Sequence, residues 1–309
     1  MNAQIASATR SQHVAPHVAE ANSRFSRNYQ GLLASAGFVA LLSLVQVDAA
    51  WAATAPNLGS TSTYGVVSST FTNSNTAPQT IINGTALQPA VCYTTAPVTP
   101  PLTITGTTVT PCPPPTGVDQ GLASANLLGQ PCTSLGAGAV ALDTVIIGGP
   151  PGTIPPGCYS SGGAMNVTLS TTVTLNGAGV YIFRPGGALN TGDNSMVVLA
   201  GGACASDVFW APVGATTLGA NAALSPTPTF VGNILDAAGI TIGHFANLTG
   251  RALAFGGTVT TDADTITVPT CAPFVAGTTT IPALSEWAMV MLAGLLAIAA
   301  FAAMRRKAS

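Results

Sequence analysis

The residues of this 309-residue chain that could do chemistry are few, and their spacing restricts what that chemistry is. His13 and His17 lie in a basic N-terminal stretch, so His244 is the one imidazole of the interior. A Ser-His-Asp or Cys-His nucleophilic site would have to be built on it. No carboxylate stands beside it in sequence, and its place after Ile242-Gly243 reads as a loop. The interior carboxylates are Asp119, Asp143, Asp193, Asp207, Asp236, Asp262 and Asp264, mostly next to Gly, Ala, Asn or Thr, which are turn contexts. Asp262-Ala263-Asp264 has the spacing of a calcium ligand pair or an acid/base pair, but a turn between two Thr-rich strands explains it without either. Gly201-Gly202-Ala203 and Gly256-Gly257 fall short of a phosphate-cradling pattern. Six cysteines show no C-x-x-C pair and no clustered histidine, so neither a zinc site nor any cofactor is expected.

The abundant functional group is the threonine hydroxyl, with 41 Thr against a single Lys. Alternate Thr on a strand stand about 6.6 to 7 Å apart, and neighbouring strands about 4.7 to 4.9 Å apart. Such a lattice offers hydroxyls that hold water and methyls that restrict where the water sits, so it can order surface water with ice-like spacing. Threonine is also simply a good strand residue, and composition alone favours that plainer reading.

Charge narrows the partners. Only 6% of the chain is charged, and the formal net charge is -2. Between Thr54 and Thr280 there are two basic residues, Arg184 and Arg251, seven Asp, no Lys and no Glu. Nucleic acid is therefore not an expected partner, and disorder driven by charge is excluded.

Strands must position these hydroxyls. Thr172-Val173-Thr174-Leu175, Ile240-Thr241-Ile242, Thr258-Val259-Thr260 and Thr265-Ile266-Thr267-Val268 alternate polar and apolar residues between Gly, Asn, Asp and Pro turns. The texture suits a sandwich, a barrel or a solenoid, and no fixed repeat aligns along it. From Tyr93 to Gln130 the chain turns Pro-rich and reads as a stapled surface excursion with one short helix near Val118 to Leu128, Asp119 standing near its start.

The ends read as processing segments. Residues 1–53 have a basic region, an apolar run from Leu32 to Val47 and a small-x-small site at Ala50-Trp51-Ala52, the pattern of a secretory signal peptide. Residues 272–280 form a linker, and 287–304 are an uncharged run before Arg305-Arg306-Lys307, the pattern of a transmembrane helix. In an exported chain the cysteines default to disulfides. Sequence does not choose among the possible pairings. Cys92 with Cys112 and Cys132 with Cys158 would each close a Pro- and Gly-rich loop, leaving Cys204 with Cys271.

Two resemblances sharpen the picture. Ile281-Pro282-Ala283-Leu284-Ser285-Glu286-Trp287 with the run and basic tail resembles the IPTL-CTERM sorting signal of Gram-negative bacteria, although Ala283 stands where Thr is usual. That implies exosortase-type processing, a membrane span before processing, and a final place at the cell surface or outside the cell. Gly179-Val180-Tyr181-Ile182-Phe183, Asp207-Val208-Phe209-Trp210, Phe230-Val231-Gly232-Asn233-Ile234-Leu235, Gly250-Arg251-Ala252-Leu253-Ala254 and Asp264-Thr265-Ile266-Thr267 resemble, in order, the ice-binding-like family of secreted antifreeze proteins.

The second resemblance implies a mostly β fold, a discontinuous three-faced β-solenoid over residues 54–271, with the Pro-rich insertion at about 93–130 in place of the family's long helix. It implies that Phe209, Trp210 and Phe230 fill the core and that Arg251 ties coils together. It further implies a non-enzymatic function, adsorption to an ice surface. A non-catalytic cell-surface module that binds glycan, matrix or neighbouring cells is the alternative. The ice-binding candidates are Thr191 and Asn194, from a Thr-Gly-Asp-Asn run, and Thr216, Thr217, Thr241, Thr258 and Thr260, read as outward positions flanked by inward aliphatics.

Overall fold

The computed structural model describes residues 53–74, 79–84, 90–95, 102–221, 229–271 and 294–296. Apart from Ala53 and residues 294–296, the expected signal peptide 1–53, the expected linker 272–280 and the apolar run 287–304 lie outside that set. Among the described residues no helix is long and apolar enough to cross a membrane.

The alternating runs stack as parallel strands into a three-faced β-solenoid. One face carries Gly157–Ser161, Tyr181–Pro185, Val208–Trp210 and Phe230–Leu235, each paired in register with the next. A second carries Met165–Val167, Leu189–Thr191, Thr216–Leu218 and Ile240–Ile242. A third is seeded by Thr153–Ile154, Thr172–Asn176 and Met196–Ala200. Asn247–Thr261 is one long strand that rounds two corners, pairing with the third face's Thr265–Thr267, with Phe230–Leu235 and with Ile240–Ile242.

The stack is discontinuous. Val66–Asn73 lies parallel on Asn247–Thr261, so the first coil of the chain sits on the last, and Val91–Thr95 and Thr108–Val109 continue the pile above it. Coil lengths differ: equivalent residues are 24 apart for Asn166 and Asn190, 27 for Asp193 and Ala220, and 18 for Thr229 and Asn247. This irregularity is why no fixed repeat aligns.

Inside, aromatic rings follow one another up the stack. Tyr159, Phe183, Trp210 and Phe230 have successive ring centroids 5.7, 4.1 and 5.0 Å apart. The Trp210 indole N–H donates to the Val231 carbonyl at 2.9 Å, so its one polar group is satisfied in the core. Burial holds the phenol of Tyr159 up at about 12.

The segment expected as an excursion is built into the fold. Leu102–Ile104 and Thr108–Val109 are strands of the uppermost coils. The helix, α1, spans Pro114–Gly129 and begins earlier than the sequence implies. Prolines are tolerated in a first turn, where the missing N–H has no intrahelical acceptor to lose. Thr116, Gln120, Ala123 and Leu127 form its buried stripe, against Val67, Ile182, Phe209, Leu235 and Leu253 of the first face. Asp119 is not in the first turn. It accepts from the Ser60 amide and hydroxyl at 2.8 and 2.6 Å, contacts that lower its pKa and moor the N-terminal turn to the helix.

Disulfides bracket this helix. Cys92 bonds to Cys112 just before it and Cys132 to Cys158 just after it, while Cys204 bonds to Cys271. Both interior arginines are structural. Arg184 donates to the Gln130 carbonyl at 2.6 Å, beyond the helix end, where a cation suits the dipole. Arg251, buried, donates to the Ser62 carbonyl at 2.9 Å and to Asn233 Oδ1 at 2.7 Å, and burial lowers its pKa to about 10. Asn233 in turn donates to the Ser206 and Val208 carbonyls, so the pair ties successive coils.

Candidate functional site: a threonine face

On the second face the outward residues form a continuous ladder of small and hydroxylated side chains. By strand register the column runs Ala141, Asn166, Asn190, Thr217, Thr241, Thr260 and Thr72, each directly opposite the next. Between outward positions the chain turns Met165, Leu189, Thr216, Ile240, Val259 and Phe71 into the core. Alternation of side chains then places Ala164, Ala188, Ala215, Gly239, Thr258 and Thr70 in a parallel outward column, with Thr258 opposite Thr70. Every member of both columns is Ala, Gly, Asn or Thr.

Some of this ladder is fixed by its own hydrogen bonds. Asn190 donates to Asn166 at 3.1 Å, and the Thr72 and Thr260 hydroxyls are 2.9 Å apart. The exposed hydroxyls of Thr217 and Thr241 have no hydrogen-bond partner among the described residues and are left for solvent.

Charges stand at the margin, not on the face, and are occupied there. Asp143 accepts from the Thr168 amide and hydroxyl at 3.0 and 2.7 Å, and Asp193 from the Ala220 amide at 2.9 Å. Asp262 lies 3.3 Å from His244 Nδ1, the carboxylate partner that sequence spacing did not reveal.

Glycines define the same margin. A Cβ on Gly219 would sit 2.5 Å from the Gly192 carbonyl carbon and 2.7 Å from the Asp193 amide nitrogen, both backbone. Gly219→Ala is expected to cost about 1–3 kcal/mol through forced separation of two coils. Chemical denaturation measures this, and a loss under about 0.5 kcal/mol would mean the corner is soft.

Asp264 is buried beside this corner. Its Oδ2 accepts from the Asp262 amide at 2.7 Å, while Oδ1 has no partner among the described residues. Burial raises its pKa to about 9. Between the unfolded value near 3.9 and about 9, the folded chain therefore binds the extra proton, and stability falls as pH rises, by at most about 1.4 kcal/mol per pH unit. Asp264→Asn is expected to raise the melting temperature at pH 8 and leave it nearly unchanged at pH 4. Equal shifts at both values would refute the assignment.

The seven residues singled out from sequence divide. Thr217, Thr241, Thr258 and Thr260 come together on this face. Thr216 does not: it is 1% exposed and donates to Asp236 Oδ2 at 2.7 Å. Only one of two adjacent strand residues can face outward, and the buried Asp236, whose pKa burial raises, takes the hydroxyl of the other. Thr191 and Asn194 lie at the corner. Thr191 accepts from the Gly219 amide at 2.8 Å, and Asn194 has φ +55° in the turn. Sequence reading missed Asn166, Asn190, Thr70 and Thr72. Their signal was a recurring outward–inward–outward triplet, as in Ala164-Met165-Asn166, Ala188-Leu189-Asn190 and Thr70-Phe71-Thr72.

Fold and face together define a helix-backed, discontinuous β-solenoid that displays a charge-free lattice of small and hydroxylated side chains. The sequence profile of the ice-binding-like family matches residues 46–267, and that of the IPTL-CTERM motif matches 279–306. This chain belongs to the ice-binding-like family and carries the IPTL-CTERM signal at its C-terminal end.

Known relatives agree. An ice-binding protein of Flavobacterium frigoris (strain PS1) is 36% identical over 117 residues, 38% of this chain and 40% of that protein. Ice-binding protein 1 of Shewanella frigidimarina (strain NCIMB 400) is 36% identical over 121 residues, 37% of this chain and 13% of that protein. The match thus spans well under half of either relative. Among solved structures, an ice-binding protein from an Antarctic biological consortium superposes with a TM-score of 0.57 at 24% identity, covering 71% of this chain and 93% of the other. One from the ascomycete Antarctomyces psychrotrophicus gives 0.52 at 26%, covering 70% and 98%.

Proposed function

We propose that the chain is an exported ice-binding protein that adsorbs to ice through the threonine face, without cofactor or turnover. The single observation that carries the reading is the in-register column from Asn166 to Thr72, free of charge and flanked by Ala, Gly and Thr. Charged side chains impose their own strongly oriented hydration, and here those nearest the face are engaged by backbone amides or by each other. Hydroxyls about 4.7 to 4.9 Å apart across strands can hold ordered water, while the stacked core beneath keeps their spacing fixed.

The names of the relatives support the same reading, since the two described above are ice-binding proteins. The IPTL-CTERM match supports export followed by processing at a C-terminal span, residues 287–304, by exosortase-type machinery, leaving the domain at the cell surface or released from it.

Purified residues 54–280 are expected to show thermal hysteresis, to inhibit ice recrystallisation and to partition into a growing ice hemisphere. Absence of all three rejects the reading and leaves a rigid surface module that binds glycan or matrix.

A further inference from the structure

The outer face of α1 is apolar, and among the described residues nothing covers it. Val118, Leu122 and Leu128 are 61%, 64% and 50% exposed, and Gly121, Ala125 and Gly129 lie among them, with nothing within 4 Å of where a Cβ on either glycine would stand. A solvated helix normally presents charge on this side. Here the only charge of the helix is Asp119, which Ser60 holds.

What covers this ridge follows from where the chain goes next. Cys271 is bonded to Cys204, at the corner where the chain passes from the third face to the helix-bearing face. In a three-sided coil that edge borders the face carrying α1 and lies across from the threonine face. The sequence beyond it enters the IPTL-CTERM match at 279–306, with its uncharged run 287–304.

We propose that, while the C-terminal span is in place, the Val118–Leu122–Leu128 ridge of α1 rests on the bilayer that holds the span, so that the threonine face points away from the membrane. The inference rests on the membrane-span reading and is independent of ice binding.

Three aliphatic side chains would not hold a free domain on lipid. A flexible tether changes this, because it converts docking into an intramolecular event at an effective concentration of about a millimolar. Residues 272–286, even well short of their extended reach of about 50 Å, allow the ridge to meet the surface. With no Lys or Arg on the helix, the contact is an apolar insertion and not an attraction to lipid phosphate, so salt should leave it unchanged.

The test uses the full chain in phosphatidylcholine vesicles whose acyl chains are brominated, with one added tryptophan as probe. Leu122→Trp, on the ridge, is expected to lose most of its added emission to bromine quenching, equally in low salt and in 1 M salt (about a 3 Å screening length). Thr241→Trp, on the threonine face, is expected to keep its emission. Val118→Trp repeats the ridge measurement at a second exposed site. If the chain floats with the vesicles and both ridge probes stay bright, the docking is refuted; cross-linking of two copies through α1 in that sample would assign the ridge to a dimer instead. Quenching of Thr241→Trp as strong as that of the ridge refutes the orientation. A chain that fails to float refutes the span reading and the docking with it.

Discussion

Thr241→Tyr is expected to reduce thermal hysteresis and ice partition to background while moving the melting temperature by no more than about 2 °C. Thr241 stands in the middle of the ladder, with Thr217 on one side and Thr260 on the other, and is itself exposed. Neighbouring strands are only about 4.8 Å apart. A phenol ring rising from this position overhangs both neighbours and lifts any flat crystal surface off the rest of the column. The side chain points outward and its hydroxyl has no hydrogen-bond partner among the described residues, so little stability is at stake. Thr172→Tyr, at an exposed position on the third face, is the control. Unchanged hysteresis in the first variant, or equal loss in the second, would move the site off this face.

The largest stability effect is expected from Trp210→Ala. The indole lies fully buried between Phe183, 4.1 Å away by ring centroids, and Phe230, at 5.0 Å. Deleting a large aromatic from a packed core costs about 3–5 kcal/mol, and the Val231 carbonyl loses its 2.9 Å hydrogen bond besides. Total stabilities of about 5–15 kcal/mol leave little margin for that loss. Calorimetry is expected to show a drop in melting temperature of about 10 °C or more. Trp210→Phe, which keeps a ring in the stack, is expected to fall by less than half as much. A cost below about 1 kcal/mol for alanine would show that the ladder of rings is not what holds the coils in register.

The residues explain what could be read from sequence and what could not. Strand alternation was visible because Ile240, Ile242, Val259 and Ile266 are aliphatic and their neighbours are Thr. Orientation failed at Thr216-Thr217, where two polar residues are adjacent and only a carboxylate 20 residues away, Asp236, decides which one turns inward. The Thr-Gly-Asp-Asn run at 191–194 looked like face and is corner, because its register against Val167 and Gly219 is a property of neighbouring coils. Thr70 and Thr72 carry the outward–inward–outward triplet locally, but their place on this face is not local information. Their partners Thr258 and Thr260 lie 188 residues further along the chain, and no local pattern announces that the first coil sits on the last. The helix was visible but was placed too late, because its opening prolines read as part of the Pro-rich excursion and not as a first turn.

The discontinuous stacking also dictates an order of assembly. Asn247–Thr261 offers one edge to strands made just before it and the other to Val66–Asn73, which leaves any N-terminus-first export route long before its partner arrives. The first coil, which can pair early with Val91–Thr95 on one side, must therefore wait with its other edge open until nearly the whole domain has emerged. Contacts of such long sequence separation make folding slow and expose an unpaired strand edge in the meantime. Until that last joint closes, Thr72 and Thr260 belong to two separate surfaces, and the ladder that gives the face its length is one coil short.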